Sequence, residues 1–289
     1  MPQFFTPKQV SRAIQVSESS VKRWCDKDII PTQYTAGGHR RIVLSELIEF
    51  LRCSKQEIVR PEVLGLPATS GQSIRVIDRS AEQLAEALLQ GDEEQCRRIV
   101  LDLYLAEHSI STICDLVFVK AFSVIGNRWQ CGDAEVYQER RGCELAMRVI
   151  HELHKLVPIP KEDAPVALGG AAEGDLYNMA TTMIELVLRD NHWNAVSLGY
   201  NLPFHTIEAA LKQKSPKLFW LSVNHIANES DFIQSYNQLY SQFGNSIAFV
   251  VGGRALHEDI RKQIQYATYC DNIRHVESFA QTLMSAAKT

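Results

Sequence analysis

AVSLGYNLPFHTIEAALKQKSPKLFWLSV, residues 195–223, reads as strand, helix, strand. Its two ends, 195–200 and 218–223, are short apolar runs of strand length, and the segment between them has helical character. Outward from it the alternation continues. Residues 165–170 precede it as a β-type run, 247–253 follow as another, and 269–273 form a weaker fifth. Helical segments lie between these runs, and one closes the chain near 276–287. Strands alternating with helices predict a parallel sheet covered on both faces, flavodoxin-like or Rossmann-like, over residues 163–289. Such sheets bind ligands beyond the carboxyl ends of their strands. Those ends fall at 169–177, 199–203, 222–225 and 252–253. No GxGxxG opens the first helix and no P-loop is present, so a dinucleotide is weakly supported.

Four helical segments precede this module. Residues 81–90 put Leu84, Ala87 and Leu88 on one face. Asp92 starts a second segment carrying Ile99, Val100, Leu103 and Leu105. Residues 111–129 are long and mostly apolar, the expected buried helix, and 133–156 carry Val136, Leu145, Ala146, Val149, Ile150 and Leu153. Short joins between them predict a four-helix bundle over 76–160. Residues 61–75, with two Pro and two Gly and no period, read as a linker.

The first sixty residues differ in charge from the rest. They hold ten Lys and Arg against six Asp and Glu, a net +4, whereas the remainder holds 20 against 28, a net −8. A basic head on an acidic body suits a nucleic-acid-binding module joined to something else. Thr6, Pro7 and Gln9 make a helix start with a capping box, and Val10, Ala13 and Ile14 follow at helical spacing. Ser17 is expected to cap a second helix with Val21 and Trp24 inward. Ser19, Ser20, Lys22 and Arg23 then face outward, with donors for phosphates and base edges. Two short helices with a tight join predict a helix-turn-helix. Gly37 and Gly38 permit a hairpin turn. Tyr34, Gly38, His39, Arg40 and Arg41 make the hairpin a positively charged wing. Ser45 is expected to cap a third helix, 46–52. The whole is thus a multidomain α plus α/β chain: winged helix-turn-helix at 1–60, linker, four-helix bundle, and parallel α/β sheet.

Composition sets the outer limits. The chain has 289 residues, 45% hydrophobic and 22% charged, within the globular range. No apolar run of membrane-spanning length and no signal peptide stand out. Seven scattered Cys without a CxxC argue for a reducing cytoplasm and against disulfides or a zinc finger. GxSxG, HExxH and the kinase motifs are absent, and the expected protein is not an enzyme. Glu173 and Asp175 are paired carboxylates at a strand end, where Asp175 suits a helix-start cap.

FTPKQVSRAIQVSESSVKRWCDKDIIPTQYTAGGHRRIVLSELIEFL resembles the DNA-binding module of MerR-type transcription regulators. The resemblance implies major-groove binding by the second helix, backbone contacts from the wing, and dimers or tetramers on repeated half-sites. Over nearly its full length the chain resembles the CarH/LitR group of light-responsive repressors, whose cofactor is adenosylcobalamin. Trp129, with Glu139 ten positions on, is similar to the group's bundle signature W-x9-E-H. SLGYNLPFHTIEAAL, LFWLSVN and VVGGRAL are similar to the strand ends around the corrin. The resemblance carries Trp129 and Glu139 to the upper face of a corrin and Ser222, Gly252 and Gly253 to the pocket of its nucleotide tail, with Arg140, Asp175 and Tyr177 as further candidates to line the ligand pocket.

The departures concern imidazoles. The signature His is Arg140, and the residue after Trp129 is Gln130. The cobalt-binding D-x-H-x-x-G is here Asp175-Leu176-Tyr177-Asn178-Met179-Ala180. A phenol with pKa about 10 is normally protonated and a poor ligand beside an imidazole. No metal site is expected, since His151 and His154 share a helix but lack a third ligand. His205 and His225 follow strand ends and are candidates to line the pocket. Tyr177 and Trp129 are expected to fill the vacated cavity with ring area.

The expected protein is therefore a DNA-binding regulator, most readily a repressor, with double-stranded operator DNA as partner and no cofactor. Its sensor body descends from a cobalamin module and answers to another small ligand or protein, or serves oligomerisation. Two alternatives stay open: a regulator that still binds cobalamin or another tetrapyrrole without the His ligand, and a corrinoid carrier or enzyme subunit.

Overall fold

A computed structural model describes residues 3–54, 56–67 and 77–286. Much of the expected linker, 68–75, lies outside the described residues. The chain divides into two compact units, Met1–Pro158 and Ile159–Thr289.

The first unit opens with β1 (Phe4–Phe5), α1 (Pro7–Ile14), α2 (Glu18–Asp26), β2 (Thr32–Tyr34), β3 (Arg40–Val43) and α3 (Leu44–Ser54). The capping box forms: Gln9 N donates to Thr6 Oγ1 and Thr6 N to Gln9 Oε1. Gln15, in the left-handed region at φ 52°, reverses the chain between α1 and α2. Ser17 Oγ caps α2 by accepting from Ser20 N at 3.1 Å. Val10, Ala13, Ile14, Val21 and Cys25 are buried between the helices. Trp24, expected inside, is only half-buried and lies against Phe50, centroids 5.1 Å apart. Cys25 holds the inner position instead, because 100° per residue puts it beside Val21 on the same face.

The strands pair antiparallel in the order β1-β3-β2, with Tyr34 opposite Arg40. Gly38, at φ +74°, closes the hairpin, donating its N–H to Thr35 O at 2.8 Å. A side chain there would be strained in the left-handed region. The third helix begins at Leu44, directly out of β3, and not after Ser45. Ser45 is buried and its hydroxyl has no partner among the described residues, so it caps nothing. A 3₁₀ turn, Pro61–Leu64, follows.

Helices α4 (Ile77–Gln90), α5 (Glu93–Leu105), α6 (Ile110–Ile113), α7 (Val119–Gln130) and α8 (Val136–Leu153) complete the unit. Asp92 caps α5 through Gln95 N at 2.9 Å. A π-helical turn, Cys114–Phe118, joins α6 to α7. The result is one helix, Ile110–Gln130, with an 18-residue stretch of mean hydropathy 1.5, and the only one among the described residues long and apolar enough to cross a membrane. No such run was expected from the sequence. Its Ile110, Ile113, Val117, Phe118, Ala121 and Ile125 are buried. The innermost helix is α4, which packs on α5, α7 and α8, and not the apolar segment expected there. The last helix starts at Val136, capped by Glu135 and Gln138, three residues later than expected.

The second unit holds β4 (Val166–Ala171), α9 (Met179–Asp190), β5 (Asn194–Ser197), α10 (Phe204–Lys214), β6 (Leu218–Ser222), α11 (Glu229–Phe243), β7 (Ala248–Gly252), α12 (Glu258–Arg261), β8 (Thr268–Cys270) and α13 (Ile273–Ala286). All five strands are parallel, in the order β5-β4-β6-β7-β8, as the alternation predicts. On one face Leu168, Phe219, Leu221, Phe249 and Val251 meet Ile207, Leu211, Phe232 and Tyr236 from α10 and α11. Opposite faces of β6 follow from its period of two, which sends Trp220 to the side of α9, where it is fully buried. The strand order reverses between β4 and β6. The loops after these two strands therefore form the switch point where such sheets take ligands.

Candidate functional site

In the first unit a groove of 470 Å³ lies between the starts of α1 and α2 and the hairpin. Lys8, Lys22, His39, Arg40 and Arg41 line it, with Glu18 the acidic group among them. Not all these cations are free. Lys22 Nζ is 2.8 Å from Glu18 Oε1, and this bond holds the Glu18 carboxyl below the usual carboxylate range. Arg40, expected to reach DNA, donates to Asp26 Oδ1 from Nε at 3.0 Å and from Nη2 at 2.5 Å, and lies over the Tyr34 ring. Its first task is to lock the hairpin onto α2. Ser19 and Ser20 hydroxyls bond to Ser17 Oγ at 2.9 and 2.8 Å, so they support the cap rather than point free. Arg23, His39 and the 56%-exposed Tyr34 remain outward as expected. Lys8 was missed, although its place in the first turn of α1 is visible in the sequence.

In the second unit Asp175 is fully buried. Its Oδ1 accepts from Tyr177 N at 2.9 Å and its Oδ2 from Asn224 N at 2.5 Å. It therefore ties the loop after β4 to the loop after β6. It does not cap α9, which begins only at Met179 behind Asn178. Asn201 adds the loop after β5, donating N to Asp175 O and accepting from Gly174 N. Glu173 is exposed, and no group of three potential metal ligands occurs among the described residues.

Tyr177 is 50% exposed and Leu176 67%. The expectation that Tyr177 fills a cavity is thus wrong; its hydroxyl instead accepts from Arg254 Nη2 at 3.1 Å. Ser222 is buried and accepts from Asn224 Nδ2 at 3.1 Å. Gly252 pairs with Ser222 across the sheet. Gly253, at φ +115°, lies so close to Val223 that a Cβ there would collide with its carbonyl. Gly253→Ala is expected to destabilise this unit by about 2 kcal/mol or more from strain and overlap; an unchanged melting temperature would contradict this packing. Between α9 and the sheet, Trp220 Nε1 donates to Thr181 Oγ1 at 2.8 Å, and Thr181 shares a hydrogen bond with Ser197 Oγ at 3.1 Å. His205 lines a 280 Å³ cleft with Glu173 and Glu208, and His225 is exposed beside Gly174.

Back in the first unit, Trp129 is 52% exposed and fills no cavity. Glu139 accepts from Cys143 Sγ and pairs with the exposed Arg140 at 3.4 Å. Burial, with Glu139 beside it, pushes the Cys143 thiol up to about 12, which makes it inert as a nucleophile. Val136 and Tyr137 are exposed near Trp129 in sequence.

Residues 80–153 match the family described as B12 binding domain. The chain is 24% identical over 114 residues to the methanol–corrinoid protein of Methanosarcina barkeri (strain Fusaro / DSM 804), covering 39% of this chain and 44% of that one. It thus spans less than half the length of that curated relative. Its fold is similar to that of the Methanosarcina barkeri monomethylamine corrinoid protein, with 18% identity, a TM-score of 0.58, and coverage of 72% of this chain and all of the other. These findings overturn the expectation that the chain takes no cofactor. They point to corrinoid binding. Trp129 and Tyr137 in the first unit, and Tyr177 and Tyr200 in the second, are exposed rings. The loop at position 177 offers a phenol in place of the imidazole that the resemblance implies. A corrinoid held through an imidazole does not fit position 177, which is Tyr.

Proposed function

We propose that this chain is a corrinoid-binding protein whose N-terminal module grips duplex DNA, so that the corrinoid governs a DNA-binding head. The match of residues 80–153 supports the corrinoid half. The groove of cations beside a helix pair and a charged hairpin supports the DNA half. The chain acts by binding and not by catalysis, in the cytoplasm, as a homo-oligomer on repeated half-sites. Changing how many heads grip the operator together changes avidity, which couples the two sites.

Arg23→Ala is expected to weaken specific binding by about 1–3 kcal/mol, and Arg41→Ala to reduce the salt slope by about one. Anisotropy titrations on DNA from the chain's own promoter region read both. No change in either variant overturns this docking. A second reading, a corrinoid carrier, is favoured by the likeness to the methanol–corrinoid protein. In that case the loaded chain accepts and passes a methyl group with a partner methyltransferase and shows no preference among DNA sequences.

A further inference from the structure

Helix α3 touches both the head and the bundle. β3 runs straight into it, Val43 to Leu44, so the wing and α3 form one continuous segment. Trp24 of α2 rests on Phe50 of α3, which joins the second helix of the head to that segment. The far end of α3 carries Arg52, and α3 packs on α5. The Arg52 guanidinium carbon is 4.0 Å from the Tyr104 ring centroid, and Nη2 donates to the His108 carbonyl at 3.3 Å. That carbonyl lies just past the end of α5. There Glu107 N bonds to Tyr104 O and His108 N to Leu103 O, around Glu107 in the left-handed region at φ 66°. A cation at this end also meets the negative pole of the helix. Tyr104 is only 1% exposed, so the cation lies on its ring out of water, where such contacts are strongest.

Resting on the proposed function above, we infer that Arg52 is the positioning residue through which the state of the bundle reaches the DNA-binding head. The path has named joints. On the bundle side, α5 is tied to α8 by Arg97 Nε to Glu152 Oε2 at 2.5 Å and by Arg148 Nε to Glu93 Oε2 at 3.2 Å. Both helices lie within the matched residues 80–153. On the head side, Arg52 shares α3 with Phe50, which leads to Trp24 and to the wing. The anchor is also one that can let go. The Arg52 Nε is buried with no partner among the described residues, and a buried donor left unpaired is costly. That cost offsets part of the ring and carbonyl contacts. Seating and release of Arg52 therefore lie close in free energy, as an element that couples two sites requires.

The test compares the full chain with R52M, which removes the cation, and Y104L, which removes the ring. Amide hydrogen exchange of the ligand-free protein reads the anchor. R52M is expected to speed exchange roughly tenfold at the ends of α3 and α5 and to leave α8 unchanged. DNA titrations with and without cobalamin read the relay. R52M and Y104L are each expected to cut the effect of cobalamin on DNA affinity to less than about twofold. Visible absorption is expected to show cobalamin binding at the parent level when DNA is absent. The double variant is expected to lose no more coupling than either single one, since both remove the same contact. R52K keeps a cation for the ring without the fork and is expected to retain part of the coupling. Exchange that stays as slow in R52M overturns the anchor. Coupling that survives R52M, or losses that add in the double variant, overturn the relay. If cobalamin leaves DNA binding of the parent unmoved, the proposed function fails and the relay with it, a result that the exchange data separate from failure of the anchor.

Discussion

Trp220→Ala is expected to lower the stability of the Ile159–Thr289 unit by about 3–5 kcal/mol, the range for emptying a fully buried aromatic site. The indole is wholly inaccessible and sits in the central strand of five. Its removal leaves a cavity beside Gly169, where the neighbouring strand has no side chain to collapse inward. It also strips Thr181, itself fully buried, of a hydrogen bond. A small domain has only about 5–15 kcal/mol in total, so this unit is expected to be partly unfolded at 37 °C. Trp220→Phe restores most of the volume without the donor, and is expected to cost less. Thermal melts of the two variants check this, and a Trp220→Ala protein as stable as the parent would show that the indole is not the filler described.

Asp175→Ala comes next in size. It leaves the amides of Tyr177 and Asn224 without their acceptor, at about 1–3 kcal/mol for each group that water cannot reach. The larger consequence is local. The loops after β4 and β6 lose the bridge that sets Tyr177 and, through Asn224, Arg254. Asp175→Ala is therefore expected to abolish corrinoid binding while the sheet still forms. Asp175→Asn keeps one acceptor oxygen and is expected to retain part of it. Circular dichroism with a cobalamin titration separates the two effects. Full binding by Asp175→Ala would contradict the bridging role.

The sequence carried what depends on local pattern. Alternating β runs and helices announced the parallel sheet, Thr6 with Gln9 announced the first cap, and Gly38 the hairpin turn. It misled where one residue's role depends on a distant partner. Arg40 looked like a free phosphate clamp because Asp26 is fourteen positions away and reached only through the hairpin. Asp175 looked like a cap because Asn224, forty-nine positions on, is invisible to helix-start rules. Arg254 is visible in the sequence only as part of VVGGRAL, because its contacts with Asn224 and Tyr177 are distant in the chain. The absence of a cofactor was inferred from a handful of lost imidazoles. The match of residues 80–153 to the B12 binding domain family overturns that expectation.

Corrinoid control of a DNA-binding head is tested most directly by titrating the full chain, with and without cobalamin, against its own promoter region and an unrelated duplex of equal length. Binding is expected to prefer the promoter, to weaken steeply with salt, and to shift with cobalamin by about 5–150-fold, the usual span of coupling between two sites. Equal affinity for the two duplexes, unmoved by cobalamin, would contradict it.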